Sequence, residues 1–314
     1  MVNLHDEVRE NKKKSIFIIL MFFIFIALIG AGAGVVFGGY SSGNLFDPTS
    51  IIFSVIMALF IAGLYIMIFM ATGSKMILSA TGAKEADRKT YPYLYHTTEA
   101  LSIAAGMKNV PKCYVINDTA LNAYATGFNE KDSYIVVTTG LLNKLNREEI
   151  EGVLAHEMSH IKNQDIKVML LAAGLVGATV LLADLLFRMF IFGGHGGNNE
   201  NKDGRIMAFV FVFWLLLIIL SPIIGEMIKM AISRQREYLA DANGALLTRY
   251  PEGLASALEK IKNDPDPLVD RANKATAHLF ISTPFRDKGS FLRGLFATHP
   301  PIDLRIAKLR GKKV

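Results

Sequence analysis

The sequence predicts a mostly helical α+β chain: a polytopic membrane protein with four transmembrane helices and one cytoplasmic domain that contains a small β-sheet. Three observations carry this. Apolar runs of about 20 residues, the length at which a helix crosses a hydrocarbon core some 30 Å thick, occur four times in the 314 residues. Lys and Arg alternate between the segments that separate those runs. The two longest remaining segments carry the patterns of strands and capped helices. Composition agrees, with 51% hydrophobic and 20% charged residues and a mean hydropathy of +0.32, which excludes an intrinsically disordered chain. The single cysteine, Cys113, excludes a disulfide-stapled fold.

No charged residue stands between Lys14 and Asp47, and 15–36 is the first span. Its basic front is also that of a signal peptide, but a signal peptide's apolar region is about 7–15 residues, so the run reads as an anchor. Ile51 to Ala71 is the second span, bounded by Asp47-Pro48 and Gly73-Ser74-Lys75, and the two form a tight hairpin. The third, Val168 to Phe192, is interrupted by Asp184 and Arg188, which are four residues apart and can pair on one helix face. A buried soluble helix is the competing reading of this segment. The fourth begins at Ile206 and reaches about residue 228, with Ser221-Pro222 as a kink. The glycine-rich loop Gly193 to Arg205 joins it to the third.

The resulting organisation is an N-terminus (1–14), a first hairpin (15–71), one part of a soluble domain (72–167), a second hairpin (168–228) and the other part of the domain (229–314). Lys and Arg number 4 before the first span, 11 in 72–167 and 16 after residue 228, against 0 and 2 in the two short loops. The positive-inside rule then puts both termini and both domain parts on the cytoplasmic side of the cell membrane. The net charge of +6 marks this topology and contact with the lipid bilayer. No basic stripe interleaved with aromatics is present, so nucleic acid is not an expected partner.

Within the domain, Tyr91 to Gly106 has helical periodicity, and Pro111 to Ile116 alternates as a strand before the Asn117-Asp118 turn. Ser133 to Thr139 is β-branched and aromatic, a second strand that Gly140 ends. Asn146 then caps a helix, with Glu149 three residues on completing a capping-box pattern. This helix runs through Leu154 and His160 toward the third span, which brings residues 156–160 close to the membrane surface.

Those residues are His156-Glu157-Met158-Ser159-His160, the His-Glu-x-x-His pattern. On a helix, histidines four apart share a face and can present ring nitrogens to one Zn²⁺, while the glutamate beside them can take a proton from an attacking water. With 7 histidines in the chain, the pattern rarely arises by chance. Two surface histidines on an amphipathic helix are the bland alternative. A tetrahedral catalytic zinc takes a third protein ligand, and the continuation with Gly and His on the same helix fails, because Asn163 and Ile166 occupy those places. Glu237 is the leading candidate, early on a helix after the fourth span. Asp241, one turn further, can orient a ligand histidine. On spacing alone, an exposed carboxylate paired with a neighbouring arginine is the competing reading of Glu237.

HEMSH, a hydrophobic hairpin, SRQREYLADANGA and THPPIDLRI follow one another in this order. The series resembles the membrane-embedded zinc metalloproteases of the M48 group, and within it the bacterial and archaeal heat-shock branch. The likeness covers nearly the whole chain, including the loop Leu121 to Gly127. It implies a gluzincin-like metalloprotease domain with one Zn²⁺ per chain, bound by His156, His160 and Glu237. It further implies Glu157 as general base and Asp241 orienting a ligand. Asn122 would lie on the substrate-binding edge, and His299 would face the scissile carbonyl as an oxyanion stabiliser. Without the resemblance His299 reads as an ordinary loop histidine, and Arg305, a weaker candidate for the same environment, as a plain helix arginine.

The expected activity is peptide hydrolysis without a covalent enzyme intermediate, on a substrate held extended along a strand edge near Asn122 to Thr126. Unfolded or misfolded membrane proteins at the cytoplasmic face are the expected substrates, in quality control and stress response. A processing protease for prenylated proteins is the first rival, against which four spans argue, since such enzymes have more. The second is a non-enzymatic membrane protein that binds metal for structure or sensing, although a transporter should carry ionisable residues deep in several spans.

Overall fold

The computed structural model describes residues 4–41, 44, 46–171, 174–175, 234–266, 281 and 300–312. Most of the third span, the Asp184–Arg188 pair, the glycine-rich loop, the fourth span with its Ser221-Pro222 kink, and His299 lie outside the described residues. The chain divides into two compact units. One gathers Met1–Lys13, Thr72–Leu170 and Met230–Val314, and the other gathers Lys14–Ala71 and Leu171–Lys229.

In the second unit, the described residues are dominated by α1 (Leu4–Ser41) and the start of α2 (Pro48–Ala80). Both are long and apolar enough to cross a membrane, over Lys13–Val35 and Pro48–Ala80. Their packing is set by small residues. A Cβ on Gly30 would sit 2.9 Å from the Ala58 Cβ, and one on Gly34 would sit 2.5 Å from the Ile51 Cα, so only glycine lets the two backbones approach this closely. Outward, α2 exposes Ile52, Phe53, Ile56, Phe60 and Met67, an apolar surface suited to lipid. Asp47 caps α2 by accepting from the Ser50 amide at 2.9 Å.

The sequence boundary at Gly73-Ser74-Lys75 does not end α2, which continues to Ala80. Its last turns bury Ser74, Ile77 and Leu78, so packing carries the helix past its apolar run. Thr81 closes it by donating its hydroxyl to the Ile77 carbonyl at 2.9 Å, and Gly82 turns the chain away at φ +68°.

The first unit combines a mixed four-stranded sheet with a helical layer. The strands are β1 (Lys84–Glu85), β2 (Lys112–Ile116), β3 (Ala123–Asn129) and β4 (Asp132–Thr138), in the order β1-β2-β4-β3. The two strands read from sequence are β2 and β4, which pair in parallel with Cys113 opposite Ile135. β1 is an addition, and β3 covers the strand edge expected near Asn122 to Thr126. β3 joins β4 as an antiparallel hairpin with Tyr124 opposite Val136, and it forms one edge of the sheet. Helix α3 (Pro92–Ala104) follows the expected periodicity. Helices α4 (Thr139–Lys144) and α5 (Arg147–Lys162) follow β4, then α6 (Arg234–Thr248), α7 (Pro251–Asn263) and α8 (Ile302–Leu309).

Helix α5 is the centre of this unit. Its capping box forms, with the Asn146 side chain accepting from the Glu149 amide and Glu149 accepting from the Asn146 amide, each at 2.8 Å. Continuous burial from Gly152 to Ile161 reflects neighbours on several sides. Two glycines allow their approach: a Cβ on Gly152 would meet the Leu254 amide of α7 at 2.6 Å, and one on Gly244 of α6 would meet the His156 amide at 3.0 Å. Helix α5 runs through Leu154 and His160 as expected and ends at Lys162. Gln164 adopts φ +59°, and helical structure resumes only at residue 165.

Candidate metal centre

Gly244 brings α6 against α5 at His156, and Glu237 and Asp241 precede it by seven and three residues, so all three share the face turned to α5. The structure thereby gathers groups that are distant in sequence. His156 Nε2 and His160 Nε2 lie 3.2 Å apart, with the two rings nearly perpendicular at 88°. Glu237 places Oε1 3.5 Å from His160 Nε2 and Oε2 3.9 Å from His156 Nε2. The three donor atoms lie within 4.8 Å of one another, and all three residues are buried.

Behind the donors stands a second set of bonds. Asp241 Oδ1 lies 3.0 Å from His156 Nδ1, and Asp165 Oδ2 lies 3.0 Å from His160 Nδ1. The left-handed turn at Gln164 is what brings Asp165 back onto that ring. Each bond leaves Nε2 to face the other donors, as a ligand histidine requires. Arg305 of α8 grips Asp241 with two bonds, 2.9 Å from Nε and 2.7 Å from Nη2, and places Nη1 3.5 Å from Glu237 Oε2. Its guanidinium also lies 3.4 Å from His156 Nε2. Arg305 is 1% exposed, so its reading as a plain helix arginine is corrected: it is a buried member of this cluster.

Two features fit this cluster to a single divalent cation. Two nitrogens bound to tetrahedral zinc at about 2.0–2.1 Å stand about 3.3 Å apart, close to the 3.2 Å between the two Nε2 atoms. Charge gives the second. Four buried carboxylates, Glu157, Asp165, Glu237 and Asp241, face two buried arginines, Arg236 and Arg305, an excess of two negative charges. In the metal-free protein protons make up the difference. Burial pushes the Glu157 carboxyl up to about 7, with Glu237 adding to the rise. Burial alone would lower His160, but its bond to Asp165 and the charge of Glu237 lift it to about 9. His156 is pushed down to about 4 by burial, against the pull of Asp241.

Glu157 is 2% exposed, and the Ala125 amide of β3 is near enough to its carboxylate to favour the charged form, so the sheet edge runs beside the donors. Asn122 lies at the entry to that strand. Its backbone carbonyl accepts from the Thr138 amide at 3.0 Å, and its side-chain Oδ1 lies 3.0 Å from the Ala123 amide. Residue spacing does not single out Asp165 and gives Arg305 too little weight. A carboxylate five residues after the second histidine was visible for the first, whereas nothing in a lone arginine 64 residues beyond Asp241 announces burial.

Histidines one helical turn apart and a carboxylate from a second helix make up a three-donor set, and a glutamate between the histidines lies beside it, as in a metal-dependent hydrolase. Residues 88–313 match Peptidase family M48, and the chain belongs to that family. It is 38% identical over 316 residues to the protease HtpX homologue of Listeria monocytogenes serotype 4a, covering 98% of this chain and 99% of that one. The homologue of Dictyoglomus turgidum is 42% identical, with coverage of 98% and 94%. Among solved structures, S. mikatae Ste24p superposes with a TM-score of 0.47 at 22% identity, over 83% of this chain and 58% of that one. The protein is a membrane-bound metallopeptidase.

Proposed function

We propose that the protein is a zinc-dependent endopeptidase of the cell membrane that cleaves misfolded or damaged membrane proteins at the cytoplasmic face. The observation that carries this reading is the convergence of His156, His160 and Glu237 beside a buried Glu157 and a strand edge. His156, His160 and Glu237 hold the ion, and Asp241 and Asp165 fix the histidine rings. A bound zinc supplies Lewis acidity toward water and the peptide carbonyl. Glu157, raised toward neutrality by burial, takes the proton of the attacking water and returns it to the leaving amine. Asn122 borders the peptide-binding edge. His299 supplies a hydrogen bond to the developing oxyanion.

Four spans, with both termini and both parts of the domain in the cytoplasm, complete the proposal. They rest on the alternation of Lys and Arg along the sequence and on the two apolar helices α1 and α2. The test is hydrolysis of an unfolded casein-like protein by the detergent-solubilised chain with Zn²⁺, beside Glu157→Gln and a chelator. Activity abolished in both controls supports the reading. Activity that survives Glu157→Gln would contradict it.

A further inference from the structure

The outer edge of β3 is already partly occupied by the protein itself. The Asn122 carbonyl and the Thr138 amide bond to each other across the hairpin, so in this strand the even-numbered residues turn their backbone groups toward β4 and the odd-numbered ones turn outward. The outward groups meet internal partners in succession. The Leu121 amide donates to Asp264 Oδ2 at 2.9 Å. The Ala123 carbonyl accepts from the Ile281 amide at 2.8 Å. The Ala125 amide faces the Glu157 carboxylate. Beyond it, toward Gly127, the outer edge has no other partner among the described residues. Ile281 is itself fixed from behind, since its carbonyl accepts from Arg305 Nη1 at 3.2 Å, and it is 2% exposed.

We infer that Ile281 is a specificity-determining residue that ends the peptide-binding edge at Ala123 and so limits how far a substrate can pair on one side of the scissile bond. This rests on the reading of β3 as the substrate edge. Glu157 marks the reacting position opposite Ala125, and Ala123 lies about 7 Å along the strand at about 3.4 Å per residue. A bound peptide therefore has room for about two residues in that direction before it meets the Ile281 backbone. In the other direction it continues toward Gly127. The enzyme reads long segments on one side of the cut and short ones on the other.

The test uses the full chain in detergent with zinc and two series of internally quenched peptides. They share one scissile bond and are lengthened residue by residue on the amino side or on the carboxyl side. On one side kcat/KM rises roughly 2- to 10-fold per paired residue, the worth of a net hydrogen bond, and on the other it levels off after about two residues. Ile281→Pro removes the amide that ties this residue to the Ala123 carbonyl and sets a ring carbon against that oxygen, so the segment is displaced from the edge and the levelled series resumes its rise, with the gain in KM. Equal gains on both sides of the wild-type enzyme overturn the inference, as does a folded Ile281→Pro with an unmoved plateau. If Ile281→Pro does not fold, the wild-type series decides alone. Absence of any cleavage that depends on Glu157 instead overturns the peptidase reading, and this inference with it.

Discussion

Glu149 and Glu157 stand on the same helix, eight residues apart, and each is 2% exposed, yet their carboxyl groups titrate in opposite directions. Burial alone would raise both. At the N-terminal end of α5, Glu149 receives the Lys260 ammonium at 2.8 Å, the Ser256 hydroxyl at 2.6 Å and the Asn146 amide at 2.8 Å, and its pKa falls below the usual 4.5. At the other end Glu157 has other carboxylates as neighbours and rises to about 7. One end of the helix is fully paired and serves stability. The other is short of positive charge, where the proposed function needs a base. Burial in itself does not make a buried acid reactive; what decides is whether its donors have been supplied.

The sharpest way to break this contrast is to remove each carboxylate in turn. Glu157→Gln should lower kcat/KM on an unfolded protein by about 10²–10⁴-fold, the usual worth of general base catalysis, while one equivalent of metal stays bound. Glu149→Gln should leave kcat/KM within a few-fold and instead lower the thermal midpoint, a cost of about 1–3 kcal/mol for the unpaired groups left behind. If Glu149→Gln abolished turnover while the protein stayed folded, the division of labour along α5 would be wrong.

The next effect is on metal affinity. Asp241→Asn and Asp165→Asn each weaken a bond that orients a histidine proposed as a ligand, and each should reduce zinc affinity by about 10–100-fold, read by competition with a chromogenic chelator. Smaller still is the effect of pH on the metal-free protein. A carboxyl raised from 4.5 to about 7 costs stability that accumulates as pH rises through that interval, and His160, lifted from 6.5 to about 9, gives stability below 6.5 that is lost as pH rises toward 9. Glu149 acts oppositely, since its lowered pKa gives stability above 4.5 that is lost only on acidification. His156, lowered from 6.5 to about 4, gains stability as pH rises to 6.5 and offsets the Glu157 loss there, so the thermal midpoint of the metal-free protein should fall mainly between pH 6.5 and 9, and the gain on adding Zn²⁺ should grow over the same range. A flat profile would mean that the charge deficit is filled some other way.

What could be read in the sequence follows from what is local. The capping box of Asn146 and Glu149, the helical spacing of His156 and His160, the strands β2 and β4 and the first two apolar helices all rest on patterns within a few residues, and the structure contains each of them. Glu237 and Asp241 were legible as a pair one turn apart. The proximity of Arg305 was not, because it depends on α8 packing against α6, and no periodicity encodes a contact across 64 residues. Asp165 was hidden by the left-handed turn at Gln164, a conformation an ordinary glutamine does not advertise. Strand β3 was expected only as a strand edge near Asn122 to Thr126 within the loop Leu121 to Gly127, without its own pattern of residues. Its Ala-Tyr-Ala-Thr-Gly sequence is poor in β-branched residues, and pairing with β4 makes it a strand. The close approaches at Gly34 and Gly244 are likewise visible only once the partner helix is in place.

The central claim is that the α5–α6 cluster binds one zinc and that Glu157 turns over peptide bonds there. It is tested most directly by measuring metal content and casein hydrolysis together on purified wild-type, Glu157→Gln and His160→Ala proteins. The account predicts one zinc per chain and activity in the wild type, one zinc without activity in Glu157→Gln, and loss of both in His160→Ala. Full metal content in folded His160→Ala, or undiminished hydrolysis by Glu157→Gln, would contradict it.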